Sequence, residues 1–255
     1  MTTVDEVINK HAVAQAFSRA AQSYDNAADL QRRVGNELMQ RMVAHPGSLL
    51  LDAGCGTGHF SRCWRARGKT VYAVDLAPGM LEKAAELGSA DRYLLGDIDA
   101  LSLPDGTVDL VFSNLVVQWC GSLRATLAEL YRVTRPGGMI AFSTLVQGSL
   151  WELSHAWQQV DGQSHVNHFL SDEQIQAACS PWRHELHFCQ KTERFPDVIT
   201  LMRSLKGIGA THLHQGRTGG LTGRHQLHAL QQKFPRENNA LPLSYQLAYG
   251  VIYHE

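Results

Sequence analysis

At 255 residues, 44% of them hydrophobic, the chain can bury one sizeable core, and single-domain α/β proteins of this length are common. No apolar run approaches the roughly 18 residues of a membrane span, and the start MTTVDEVINKHAVAQAF lacks the basic region and apolar core of a secretory signal, so a cytoplasmic protein is expected. Five cysteines without paired spacing (Cys55, Cys63, Cys120, Cys179 and Cys189) read as reduced small hydrophobes, and a net charge of −1 gives no nucleic-acid footprint.

In chain order, an amphipathic leader comes first. Val13, Phe17, Ala20, Ala21 and Tyr24 recur at helical spacing, and a second helix follows from about Asp29. LLLDAGCGTGHF (49–60) then sets an apolar run, as in a parallel strand covered on both faces, before an acid and three glycines. Gly54, Gly56 and Gly58 permit positive φ and a backbone with no side chain between it and a ligand. The dinucleotide fingerprint wants its third glycine where His59 stands. The pattern is instead G-x-G-x-G after Asp52, which suits a cofactor with no pyrophosphate at the helix start, although a plain tight turn reads the same way.

KTVYAVD predicts a second strand ending at Asp75, where an acid suits a bidentate hydrogen bond to ribose hydroxyls; a helix N-cap before Pro78 is the alternative. RYLLGDI predicts a third strand ending at Asp97, VDLVFSN a fourth ending at Asn114, and residues 138–144 a fifth. VQGSLWELSHAWQQV is helical in pattern, and Ser171 caps a further helix. HELHFCQKTERF alternates as a strand, PDVITLMRSLKGIGA reads as a helix from Pro196 to Gly207 or Gly209, THLHQGRTGGLTG as a loop and HQLHALQQKF as a short helix. PLSYQLAYGVIYHE closes as a strand.

DAGCGTG (52–58), AVD (73–75), GDI (96–98), VDLVFSN (108–114) and ELYRVTRPGGMIAFST (129–144) together resemble the class I S-adenosylmethionine-dependent methyltransferases. The resemblance implies a Rossmann-like α/β fold: a mostly parallel seven-stranded sheet with an antiparallel last strand. A helical lid would come from the N-terminus and from insertions after strand five. The expected single domain has its core at about 46–145, 181–196 and 241–255, and its lid at about 1–40, 146–180 and 197–236. By carry-over, the loop of Asp52, Gly54 and Gly56 holds the methionine part of the cofactor, Asp75 the ribose, and Asp97 with Ile98 the adenine. Leu76 and Met80 would sandwich the base, Asn114 at the end of the fourth strand is a further cofactor-binding candidate, and Arg19 is a candidate for the cofactor carboxylate; core or surface packing explains Leu76, Met80 and Arg19 equally well.

The acceptor is written elsewhere. FSRAAQSYDNAADLQ (17–31), NLVVQWCGSL (114–123), TLVQGSLWEL (144–153) and MRSLKGIGATHLH (202–214) resemble the malonyl-acyl-carrier-protein O-methyltransferases of biotin synthesis. That resemblance implies methyl transfer to the free carboxylate of a malonyl thioester, with S-adenosylhomocysteine as product, acyl carrier protein carrying malonyl-phosphopantetheine as partner and malonyl-CoA as a further substrate. No nucleic acid or membrane partner is expected. Arg203 and Lys206, three apart on one helix face, are candidates to grip the carboxylate. Tyr24, Gln118 and Trp119 are further candidates, Tyr24 and Trp119 with a packing alternative. His212 and His214 lack a third ligand at useful spacing, so no metal is expected. Residues 1–180 carry 14 basic and 19 acidic side chains, whereas residues 181–240 carry 9 and 4; that cationic region suits an anionic partner or is a solvated face. The rivals are a C- or N-methyltransferase for a quinone or other small metabolite, a dehydrogenase, and an inactive cofactor-binding scaffold.

Overall fold

The structure, a computed structural model, describes residues 8–208 and 223–255. Its elements run α1 (Lys10–Ala20), α2 (Asp29–Gln40), β1 (Leu49–Ala53), α3 (His59–Arg65), β2 (Thr70–Asp75), α4 (Pro78–Glu86), β3 (Arg92–Leu95), β4 (Val108–Asn114), α5 (Leu123–Val133), β5 (Thr134–Leu145), α6 (Trp151–Asp161), α7 (Asp172–Cys179), β6 (Arg183–Phe195), α8 (Val198–Gly207), α9 (Arg224–Lys233) and β7 (Leu241–Tyr253).

Seven strands form one sheet in the order β3-β2-β1-β4-β5-β7-β6. β1 to β5 pair in parallel, and β7 runs antiparallel to both β5 and β6. This is the sheet the sequence predicts. Leu50, Leu51 and Ala53 of β1 are fully buried, because helices cover both faces of a parallel sheet. On one face Phe112 packs against Phe60 and Trp64, with ring centroids 5.1 and 5.9 Å away. On the other, Leu127 and Leu130 of α5 and Ile175 of α7 join Val111 and Ile140 in a second cluster. The buried carboxylate of Glu152 ties α6 to β7 by accepting from Ser244 N (3.0 Å) and Ser244 Oγ (2.5 Å).

Several boundaries differ from the sequence reading, and α6 starts at Trp151 and not at Val146. Tyr24 lies in a 3₁₀ turn (Tyr24–Asn26) after α1 has ended. β3 stops at Leu95, leaving Asp97 in a turn where its Oδ1 accepts from Asp99 N at 3.0 Å. β5 starts at Thr134, earlier than Gly138. α8 begins at Val198, because Asp197 caps it by accepting from Thr200 N at 2.7 Å. His212, His214 and most of the predicted Gly/His-rich loop lie outside the described residues.

Gly250 of β7 stands opposite Phe142 of β5, and a Cβ there would fall 2.2 Å from the ring of that fully buried phenylalanine. Gly250→Ala is therefore expected to destabilise the fold by about 1–3 kcal/mol through overpacking, measured by denaturant titration. An unchanged midpoint would show that Phe142 can turn away freely.

Candidate active site

The loops leaving β1, β2 and β4 wall one cavity at the carboxyl ends of those strands. β1 runs into Gly54 (φ +81°), Gly56 (φ +55°) and Gly58 (φ +79°). A Cβ on Gly54 would lie 2.4 Å from Val116 Cγ2, so the protein's own packing requires glycine there. Gly56 is different. A Cβ there would meet Tyr24 Cε1 at 4.0 Å and nothing nearer, so a side chain at this position would grow into open cavity. That is the cradle a ligand lying along bare backbone needs.

Asp75, at the end of β2, accepts from Gly56 N and from Ala77 N, both at 2.8 Å. Burial pushes its carboxyl up to about 6, against the pull of those backbone N–H groups. Asp52 sits behind the loop, 2% exposed, and accepts from Ser61 Oγ at 2.6 Å. Burial pushes it up to about 7, the Ser61 hydroxyl opposing and the Asp75 charge adding. Met80 and Ile98 are buried apolar walls of the cavity, joined by the half-buried Leu76. Asn114 joins the wall from β4; its Nδ2 donates to Gln31 O (3.0 Å) and its Oδ1 accepts from Ser143 Oγ (2.9 Å).

α1 crosses this cavity and is latched there. Lys10 Nζ lies 3.0 Å from Asp97 Oδ1 and 2.9 Å from Asp99 Oδ2. No sequence signal links a lysine to an aspartate 87 residues away, and the sequence reading missed Lys10. Phe17 and Trp119 also face the cavity and pack edge-on at 5.4 Å. Tyr24 borders both this cavity and a second one along the glycine loop, lined by Asp25, Gln31 and Asp52. Burial, with the charges of Asp75 and Asp25, pushes the Tyr24 phenol far up, so it stays a hydrogen-bond donor near neutral pH.

The remaining candidates are placed apart. Gln118 donates to Leu115 O at 2.9 Å and borders an adjoining cavity of about 440 Å³ with Thr144 and Arg124. Arg203 is exposed on α8 and borders a fourth cavity, of about 340 Å³, together with Gln31 and Tyr245. Lys206 is exposed on the last turn of α8, and Arg19 is exposed on the last turn of α1, outside these cavities. Cys55 is buried in the glycine loop, and burial pushes its thiol well up, which leaves it inert as a nucleophile. Among the described residues no group of three or more His, Cys, Asp or Glu side chains could hold a metal ion, and no helix is long and apolar enough to cross a membrane.

A parallel sheet with one reversed strand, a glycine loop after β1 and an acid after β2 make up the class I methyltransferase fold, and residues 51–142 match the family model described as a methyltransferase domain. The chain is 63% identical, over the full length of both, to the malonyl-[acyl-carrier protein] O-methyltransferase of Serratia marcescens. It is 59% identical over 248 residues, 97% of this chain and 93% of the relative, to that of Yersinia pestis. The chain belongs to the malonyl-[acyl-carrier protein] O-methyltransferase family. Solved structures share the fold at low identity. The YcgJ protein of Bacillus subtilis superposes with a TM-score of 0.59 at 15% identity, covering 86% of this chain and 99% of that one. The [4+2]-cyclase SpnF gives 0.54 at 18%, covering 87% and 80%; a cyclase on this fold shows that the sheet alone does not set the reaction.

The two buried acids give two expectations. A carboxyl whose folded value is raised binds its proton more tightly in the native state. The stability this lends is whole below the unfolded value near 4 and is lost as pH rises through about 7 for Asp52. Asp52→Asn should therefore gain stability relative to wild type between pH 5 and pH 8, by on the order of 2–4 kcal/mol, read from denaturant midpoints. Equal differences at both pH values would exclude a buried titrating carboxyl. For Asp75, the ionised acceptor is populated above about 6. Calorimetric affinity for S-adenosylhomocysteine should fall as pH drops from 8 to 5, whereas Asp75→Asn should bind at least about tenfold more weakly at pH 8 and lose this pH dependence. Wild-type affinity in that variant would remove Asp75 from the site.

Proposed function

We propose that the chain transfers a methyl group from S-adenosylmethionine to the free carboxylate of a malonyl thioester held on acyl carrier protein, giving a methyl-ester primer for pimeloyl synthesis in the biotin pathway. The observation that carries this reading is identity of 63% spread over the whole chain, which takes in the helices around the cavity as well as the glycine-loop core. On this reading one methyltransferase domain comprises a core at about 46–145, 181–196 and 241–255, with a lid at about 1–40, 146–180 and 197–236. Carrier proteins are generally acidic, and the excess of basic residues between 181 and 240 suits docking of one.

The residues around the cavity fit the methyl donor. Gly56 leaves its Cβ position open, and Asp75 stands beside it as the acceptor proposed for the ribose hydroxyls. Leu76, Met80, Asp97 and Ile98 are proposed to flank the adenine, and Asp52, Gly54 and Asn114 the methionine end. When bound, the donor supplies an electrophilic methyl on a sulfonium. One O–C bond forms as one C–S bond breaks, and no proton moves, because a malonyl carboxyl with an ordinary pKa of about 4 is ionised at neutral pH. The protein needs no general base. Its task is in-line placement and exclusion of water, which α1, Phe17 and Trp119 serve by roofing the cavity.

A carboxylate brought into such a site needs a partner charge, and Arg203 is the proposed grip from the cavity it shares with Gln31. Tyr24 and Trp119 at the donor cavity and Gln118 in the adjoining one are proposed around the acceptor, with Lys206, exposed outside the cavities, as the further candidate cation. Arg203→Ala should lower kcat/KM with malonyl-carrier protein by about tenfold or more, while affinity for S-adenosylhomocysteine stays within a few-fold. Arg203→Lys should recover part of the loss, since an ammonium keeps the charge without the planar fork. A well-folded Arg203→Ala protein with more than about a third of wild-type activity would make Arg203 a surface residue.

A further inference from the structure

Gln31 occupies the first turn of α2, and its main-chain carbonyl is held by Asn114 Nδ2 from the end of β4. Its side chain stands between two cavities, the glycine-loop cavity and the one bordered by Arg203. Its Oε1 atom is buried and has no hydrogen-bond partner among the described residues. A buried acceptor without a donor costs about 1–3 kcal/mol, and native structures keep such atoms where a ligand or other partner completes them.

The surroundings say what kind of donor is missing. Asp25 and Asp52 line the glycine-loop cavity with Gln31, and Asp75 lies against the same loop through Gly56 N. The cation that lines it, Arg32, is engaged with Asp25: its Nη2 donates to Asp25 O at 2.6 Å and pairs with Asp25 Oδ1 at 3.5 Å, while its Nη1 pairs with Asp29 at 3.4 Å. An acidic, glycine-walled cavity with an orphan carbonyl suits a cationic N–H donor. The geometry points to Gln31 Oε1 as the acceptor for a protonated amine carried by the ligand of the glycine-loop cavity. This rests on the reading of that ligand as the methyl donor, and the amine is then the α-ammonium of its amino-acid end. A second N–H source exists on the other side, the amide groups of a thioester-bearing arm in the Arg203 cavity, and the two can be separated.

The test titrates S-adenosylhomocysteine, which carries the amine, and 5′-methylthioadenosine, which lacks the amino-acid end, into the full chain and its Gln31→Leu and Gln31→Glu variants. Gln31→Leu should weaken S-adenosylhomocysteine about tenfold or more, leave 5′-methylthioadenosine within twofold, and melt without ligand at or above the wild-type temperature, because an unpaired buried acceptor has gone. Gln31→Glu should hold S-adenosylhomocysteine at least as tightly as wild type, since a carboxylate also accepts from an ammonium. Equal losses for both ligands with a lower melting temperature would assign Gln31 a structural role. Unchanged S-adenosylhomocysteine affinity with a raised KM for malonyl-CoA would assign its oxygen to the acceptor's amide. Weaker S-adenosylhomocysteine binding by Gln31→Glu would mean that the amide donates to the ligand carboxylate. Each of these overturns the proposal while the methyl-donor reading stands. Failure of the wild type to bind S-adenosylhomocysteine would overturn the methyl-donor reading, and this proposal with it.

Discussion

The carboxylate of Asp75 accepts from Gly56 N with one oxygen and from Ala77 N with the other, and the shape of the site follows from that pair of bonds. A loop carrying three glycines has no side chains to choose its path and loses much conformational entropy when it orders. Asp75 supplies the choice by fixing the middle of the loop against the turn that starts α4. The same bonds hold the ionised form in place against a burial that otherwise pushes it up. The β-strand pairing of β1 with β2, Ala53 opposite Val74, brings the loop within reach of that carboxylate. The sheet, the loop and the acid are one device.

Asn114 does for the other wall what Asp75 does for the loop. Its amide donates to the first turn of α2 and accepts from Ser143 on β5, so the end of β4 fixes the helix that presents Gln31. Lys10 adds a third tie by pairing α1 with Asp97 and Asp99. The last two ties each join a helix, α2 or α1, to a strand end or the turn after it, so the cavity is formed by the same contacts that seat those helices.

What the sequence makes legible follows locality. An apolar run, a glycine loop and an acid at the next strand end are contiguous patterns, and β1, β2, Gly54, Gly56 and Asp75 are readable from them. Met80, on α4 after β2, and Ile98, in the turn after β3, fall in the wall because they follow the carboxyl ends of those strands. Lys10 and Gln31 were not readable as site residues: both sit on ordinary amphipathic helices, and what marks them is a partner 87 positions away or a missing partner. Arg19 illustrates the converse. It looks like a free cation near a cofactor in the one-dimensional pattern, but the face of α1 that buries Val13, Ala16 and Ala20 turns it outward. Tyr24 keeps its place beside the cavity although its helix ended earlier, because the turn after α1 sets it there.

The electrostatics of the site tie its cost to its use. Asp52 and Asp75 are two carboxyls in one buried region, each pushed up by burial, and the charge of Asp75 pushes Asp52 further. Burying acids without cationic partners works against the folded state, and Arg32 is committed to Asp25 and Asp29. Such a cavity gains most from a ligand that brings its own positive charge. On the proposed reading the methyl donor brings two, an ammonium and a sulfonium, beside one carboxylate, and the transfer takes it from net cationic to neutral by turning sulfonium into thioether. The electrostatic share of binding that the acidic walls contribute is therefore larger for the donor than for the spent product.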